Sequence, residues 1–175
     1  MSRLVVFATA LSRLHADLLV VRLRQSGTPT ASLSVIYLPA SKPNSGQCWL
    51  NGTTRLALSS GEPVEVSGRL RVALGHGEKG AGHSSLLARL ADFGLTGEQG
   101  AELEESLRDT HPVLAIEVHE ETALTAVFQV LQTLAAEKIM PVATHAQVAD
   151  SDPRLSRRPA AAARPAMLPS LAAFA

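Results

Sequence analysis

"PVLAIEVHEETALTAVFQVLQTLAAEKIMPVATH", residues 112–145, reads in three steps. "VLAIEV" (113–118) is a short β-branched apolar run after a proline, the pattern of a strand. Glu120 and Glu121 follow, placed for the first turn of a helix, where the helix dipole favours carboxylates. Leu124, Val127, Phe128, Leu131, Leu134 and Ala135 then recur at i, i+3, i+4 and i+7, an apolar helical stripe. "KIMPVATH" (138–145) closes the stretch as a second strand. Pro141 has no N–H for a sheet ladder, so this strand is expected at an edge. The stretch is a β-α-β unit.

Working outward, the amino-terminal residues repeat the pattern. "RLVVFA" (3–8) is a strand, and "LSRLHADLLVVRLRQSG" carries Leu11, Leu14, Leu18 and Val21 at helical spacing, with Gly27 as its stop. "ASLSVIYL" (31–38) alternates Leu33, Val35 and Tyr37 with Ser32, Ser34 and Ile36, and Pro39 ends it. Two such units around one sheet predict an α+β fold, a ferredoxin-like β-α-β-β-α-β arrangement in a single domain, residues 1–149, with 39–110 as an insertion. Turn formers dominate the start of that insertion, where "CWL" and "RLAL" are short strand candidates. "VEVSGRLRVAL" is a further strand or an irregular approach to a glycine-rich turn. Ser84 and Ser85 can cap "LLARLADF", which Gly94 ends, and Thr96 with Gln99 forms a capping-box pattern before "GAELEESLRD". A helical hairpin is therefore expected. Alternation turns Leu4, Val6, Leu114, Ile116 and Val118 to the two main helices. Val5, Phe7 and Ala115 then lie on the opposite face, which needs a cover, either the insertion or a second copy. A homo-oligomer is expected on this ground.

Composition narrows the functional classes. In 175 residues, 46% are hydrophobic but only 3% aromatic, so the core is built mainly from Leu, Val and Ala. Sixteen basic residues balance sixteen acidic ones, which leaves no net field to gather nucleic acid or an anionic membrane. The lone Cys48 excludes an intramolecular disulfide and a thiolate metal cluster, and beside Trp49 it has no neighbouring base to make it a nucleophile. Arg13, His15 and Asp17 interrupt the apolar start before it reaches the length of a signal core or a membrane span. The expectation is a cytoplasmic protein with no membrane span and no nucleic-acid partner.

"GEKGAGHS" (77–84) matches the phosphate-loop pattern G-x-x-x-x-G-K-[ST] except that His83 replaces the lysine. Imidazole is shorter than a lysine chain and mostly neutral at pH 7, so it is a poor partner for terminal phosphates. The chain is accordingly expected not to be an enzyme and to need no cofactor. A ligand-binding reading of the turn would use the backbone of Gly77, Gly80 and Gly82 with His83 and Ser84. A metal reading would use His76 and His83 around Glu78, without any established ligand spacing. His111 and His119 bracket one strand about 26 Å apart and cannot share an ion. "HEETA" (119–123) lacks the second histidine of H-E-x-x-H. Glu98, Glu102 and Glu105 share a helix face, which reads as a solvated acidic surface.

"VSGRLRVALGHGEKGAGHSSLLARLADFGLTGEQGAELEESLRDTHPVLAIEVHEE" resembles the second half of the small bacterial general-stress-protein-like family, and "LVVFATALSRLHADLLVVRLRQSGTPTASLSVI" resembles its first unit. The matching positions are Leu87, Leu90, Gly94, Leu95, the run Ala101 to Leu107, and Val113 to Val118. The resemblance implies a stress-associated accessory protein and carries over no catalytic or ligand residue. "GHGEKGAGHSS" is short and polar where relatives carry a long apolar insert, which removes any implied membrane association. The expected function is non-enzymatic, through self-association and partner binding. The alternative is a small-ligand or nucleotide-binding regulatory domain using the glycine-rich turn at 75–85. Residues 150–175 are rich in alanine, proline and arginine and read as a flexible tail. The tail ends in Met167, Leu168, Leu171 and Phe174, an apolar group fit to contact a protein partner.

Overall fold

In the computed structural model, residues 3–42, 52–75 and 85–144 are described. The strands are Arg3–Thr9 (β1), Leu33–Tyr37 (β2), Thr53–Ala57 (β3), Pro63–Gly68 (β4), Val113–Val118 (β5) and Glu137–Thr144 (β6). Five α-helices lie among the described residues: Arg13–Gln25 (α1), Leu70–Gly75 (α2), Leu86–Phe93 (α3), Gly97–Arg108 (α4) and Glu121–Thr133 (α5). One six-stranded sheet joins the strands in the order β3-β4-β2-β5-β1-β6, and every pairing is antiparallel. The fold class is α+β. β6 is an edge strand, as Pro141 predicts, and Pro141 sits opposite Val6 of β1.

Helix boundaries follow the capping residues. Ser12 caps α1 by accepting the His15 N–H at 3.1 Å, and Ser85 caps α3 by accepting that of Ala88. Thr96 and Gln99 form the full capping box of α4. Gly94, at φ 115°, ends α3 in the left-handed conformation that glycine adopts without a Cβ penalty. "VEVSGRLRVAL" divides into the end of β4 and the short helix α2, and Gly68 makes the break at φ 85°. A Cβ on Gly68 would meet the Leu33 carbonyl oxygen and lie 2.7 Å from Ser34 Cα, so the backbones approach too closely for any other residue. Just beyond it, Ser34 Oγ accepts the Leu70 N–H at 2.9 Å and fixes the start of α2.

Alternation along the strands divides the core between two faces. Val6, Leu33, Val35, Tyr37, Leu114, Ile116 and Val118 pack against Ala16, Leu19, Val20 and Leu23 of α1 and Val127 and Leu131 of α5. Val5, Phe7, Ile36, Val113 and Ala115 pack on the other face beneath α2, α3 and α4. Phe7 meets Phe93 of α3 edge-on, with ring centroids 6.2 Å apart. The insertion is the cover for Val5, Phe7 and Ala115, so this face gives no reason for a second copy. Residues 39–110 also extend the sheet, through the hairpin β3-β4 at the β2 edge.

Candidate functional site

The residues singled out from the sequence as possible ligand, metal or partner contacts lie outside the described residues. These are His76, Gly77, Gly80, Gly82, His83 and Ser84, and in the tail Met167, Leu168, Leu171 and Phe174. Their flanks are described. The segment before the glycine-rich turn is the helix α2, and the segment after it is α3, capped by Ser85. A phosphate loop joins a strand to a helix at the carboxyl edge of a parallel sheet. Here a helix leads into the turn, and the sheet is antiparallel throughout.

Polar side chains buried in the domain hold elements together. The Glu104 carboxylate, 2% exposed on α4, accepts the Ser59 N–H at 3.0 Å and the Ser59 hydroxyl, and Arg108 lies 3.4 Å away. This clamps the β3-β4 turn to α4. The acidic face of α4 meets a cation of the chain itself. Lys138 Nζ donates to the Glu102 carbonyl at 3.2 Å and to Ser106 Oγ at 3.0 Å, with Glu105 at 3.8 Å. Arg69 lies 3.8 Å from the buried Glu117 at the end of β5. His15 links the start of α1 to the end of α5: its Nδ1 accepts the Leu11 N–H at 3.0 Å, and its Nε2 lies 2.8 Å from the Leu134 carbonyl. With Nδ1 accepting, Nε2 is the ring nitrogen that donates to the carbonyl oxygen.

Tyr37, Glu65 and Arg55 stand opposite one another across β2, β4 and β3. Arg55 Nε donates to Glu65 Oε1 at 3.3 Å. Burial first, and the Glu65 carboxylate second, push the Tyr37 hydroxyl up to about 12. Among the described residues no group of three or more His, Cys, Asp or Glu side chains could hold a metal ion. His111 and His119 lie at opposite ends of β5, and no described helix is long and apolar enough to cross a membrane.

The described surface departs from a solvated exterior at α1. Leu14 is 77% exposed, and Leu11 and Leu18 are 45% and 44% exposed. Leu11 precedes the N-cap Ser12, and Leu14, Leu18 and the half-buried Val21 follow one another at four and three residues along α1. This is the three-four alternation that lines the seam between two packed helices. The sheet side of α1 is filled by Ala16, Leu19, Val20 and Leu23, so the outer stripe has no role in the domain's own core. The chain matches no family model, no curated protein and no solved structure. Its fold and surface define an α+β protein with both sheet faces covered and an apolar helix face turned outward.

Proposed function

We propose that this protein is a non-enzymatic accessory protein that works by association, and that the outer face of α1 is where a second copy binds. The carrying observation is the exposure of Leu14 and Leu18 on the outer face of α1, whose other side already holds the core, with the exposed Leu11 just before the N-cap Ser12. The same stripe on two copies can pack across a two-fold axis, each helix filling the seam of the other. One face of a thirteen-residue helix is a small interface, so the association is weak and concentration-dependent. Stress association, implied by the family resemblance of the sequence, is the physiological setting attached to this reading. The parent architecture we assign is ferredoxin-like, supported by the antiparallel order β6-β1-β5-β2 with α1 and α5 as the two crossings; the β3-β4 hairpin is then an added edge.

Sedimentation equilibrium over a wide range of protein concentration tests the proposal. The apparent mass should rise toward that of a dimer, and Leu14→Lys should hold the chain at monomer mass with an unchanged circular dichroism spectrum. A wild-type chain that stays monomeric at millimolar concentration, or a Leu14→Lys chain that associates equally well, refutes it.

A further inference from the structure

A shallow, open groove of about 420 Å³ lies along α5, lined by Leu124, Thr125, Phe128, Gln129 and Gln132. Leu124 and Phe128 are half-buried and pack on the same core cluster as Ile139 of β6. No charged side chain lines it, so it suits apolar side chains, with amide groups at hand for the backbone that carries them. We infer that this groove receives a segment of the same chain, the apolar group Met167, Leu168, Leu171 and Phe174.

Three observations select that occupant. The first is where the chain leaves the fold. Val118 and Ala143 both pair with Leu4, so the start of α5 and the end of β6 lie at one end of the sheet. The described chain therefore ends, at Thr144, on the side of the sheet where α5 begins. The second is length. A chain of the length of 145–166 can reach on the order of 25 Å, and α5, with thirteen residues, is about 20 Å long. A linker matched to its span holds the terminus at an effective concentration in the millimolar range, enough for a weak apolar contact to close. The third is charge. Between 151 and 175 the tail carries Arg154, Arg157, Arg158 and Arg164 against Asp152 alone. Glu120 and Glu121, both exposed, stand where α5 begins. The groove on α5 is the complementary one. This inference does not rest on self-association through α1.

Nuclear magnetic resonance on the full chain and on a chain ending at residue 164 tests it. The backbone and side-chain amides of Gln129 and Gln132 should shift on truncation, and a synthetic peptide of residues 165–175 should move them back toward their full-chain positions. Phe174→Asp, which leaves the described domain untouched, should reproduce the truncation. Docking within one chain predicts that these shifts do not change on dilution. Identical α5 resonances in the two chains overturn the inference, as do shifts confined to α1 or lost on dilution.

Discussion

Tyr37 is the chain's single tyrosine, so its ionisation can be followed by ultraviolet absorbance without a second contributor. Its hydroxyl is raised from 10.0 to about 12, by burial before the Glu65 carboxylate. A group whose folded value is raised contributes stability that is complete below its unfolded value and lost as pH climbs through the folded one. The loss thus falls between pH 10 and about 12 and reaches about 2–3 kcal/mol. Denaturant melts across that range should show it, and Tyr37→Phe should flatten the slope; an unchanged slope would count against the assignment. At Gly68 the same logic of close approach applies to backbone. Gly68→Ala should lower stability by about 2–4 kcal/mol in a denaturant titration, since neither the Leu33 carbonyl nor Ser34 Cα can retreat from a strand. Gly27 has the same left-handed backbone with nothing near its absent Cβ, so Gly27→Ala should cost much less. Neither Tyr37 nor Gly68 is distinguished in the sequence as a site. The tyrosine follows ordinary strand alternation, and the glycine's neighbour Ser34 is distant along the chain.

At the scale of single elements, α1 carries two apolar series, Leu14, Leu18 and Val21 outside and Ala16, Leu19, Val20 and Leu23 inside. Their separation gives a direct comparison. Leu19→Ala, in the core, should lower stability by about 2–5 kcal/mol. Leu14→Ser, on the outer face, should change it by less than about 0.5 kcal/mol. Thermal or denaturant unfolding of the two variants checks both, and equal losses would mean that α1 is rotated from the orientation described. The existence of this helix was legible in the sequence, with its stop near Gly27, but its phase was not. Each series has helical spacing, and only the sheet decides which one is inside. The caps of α3 and α4 were legible for the opposite reason, because Ser85, Gly94 and the Thr96–Gln99 box act on backbone within a few residues. α2 was missed because "RLRVAL" is a short apolar run whose state depends on Gly68 and on the Ser34 hydroxyl.

For the molecule as a whole, the alternation in β1 and β5 correctly divided apolar residues between two faces. It left open what would cover Val5, Phe7 and Ala115, because alternation records a face and not its occupant. With α2, α3 and α4 in that place, the association we propose rests on the outer face of α1 and not on the sheet. The measurement that bears on this most directly is an isotope-filtered nuclear Overhauser experiment on a mixture of labelled and unlabelled chains at high concentration. It should show contacts between the Leu14 and Leu18 methyl groups of one copy and those of the other, lost on dilution and absent in Leu14→Lys. Intermolecular contacts that map elsewhere on the domain, or none while α1 methyls stay solvated at millimolar concentration, would contradict the account.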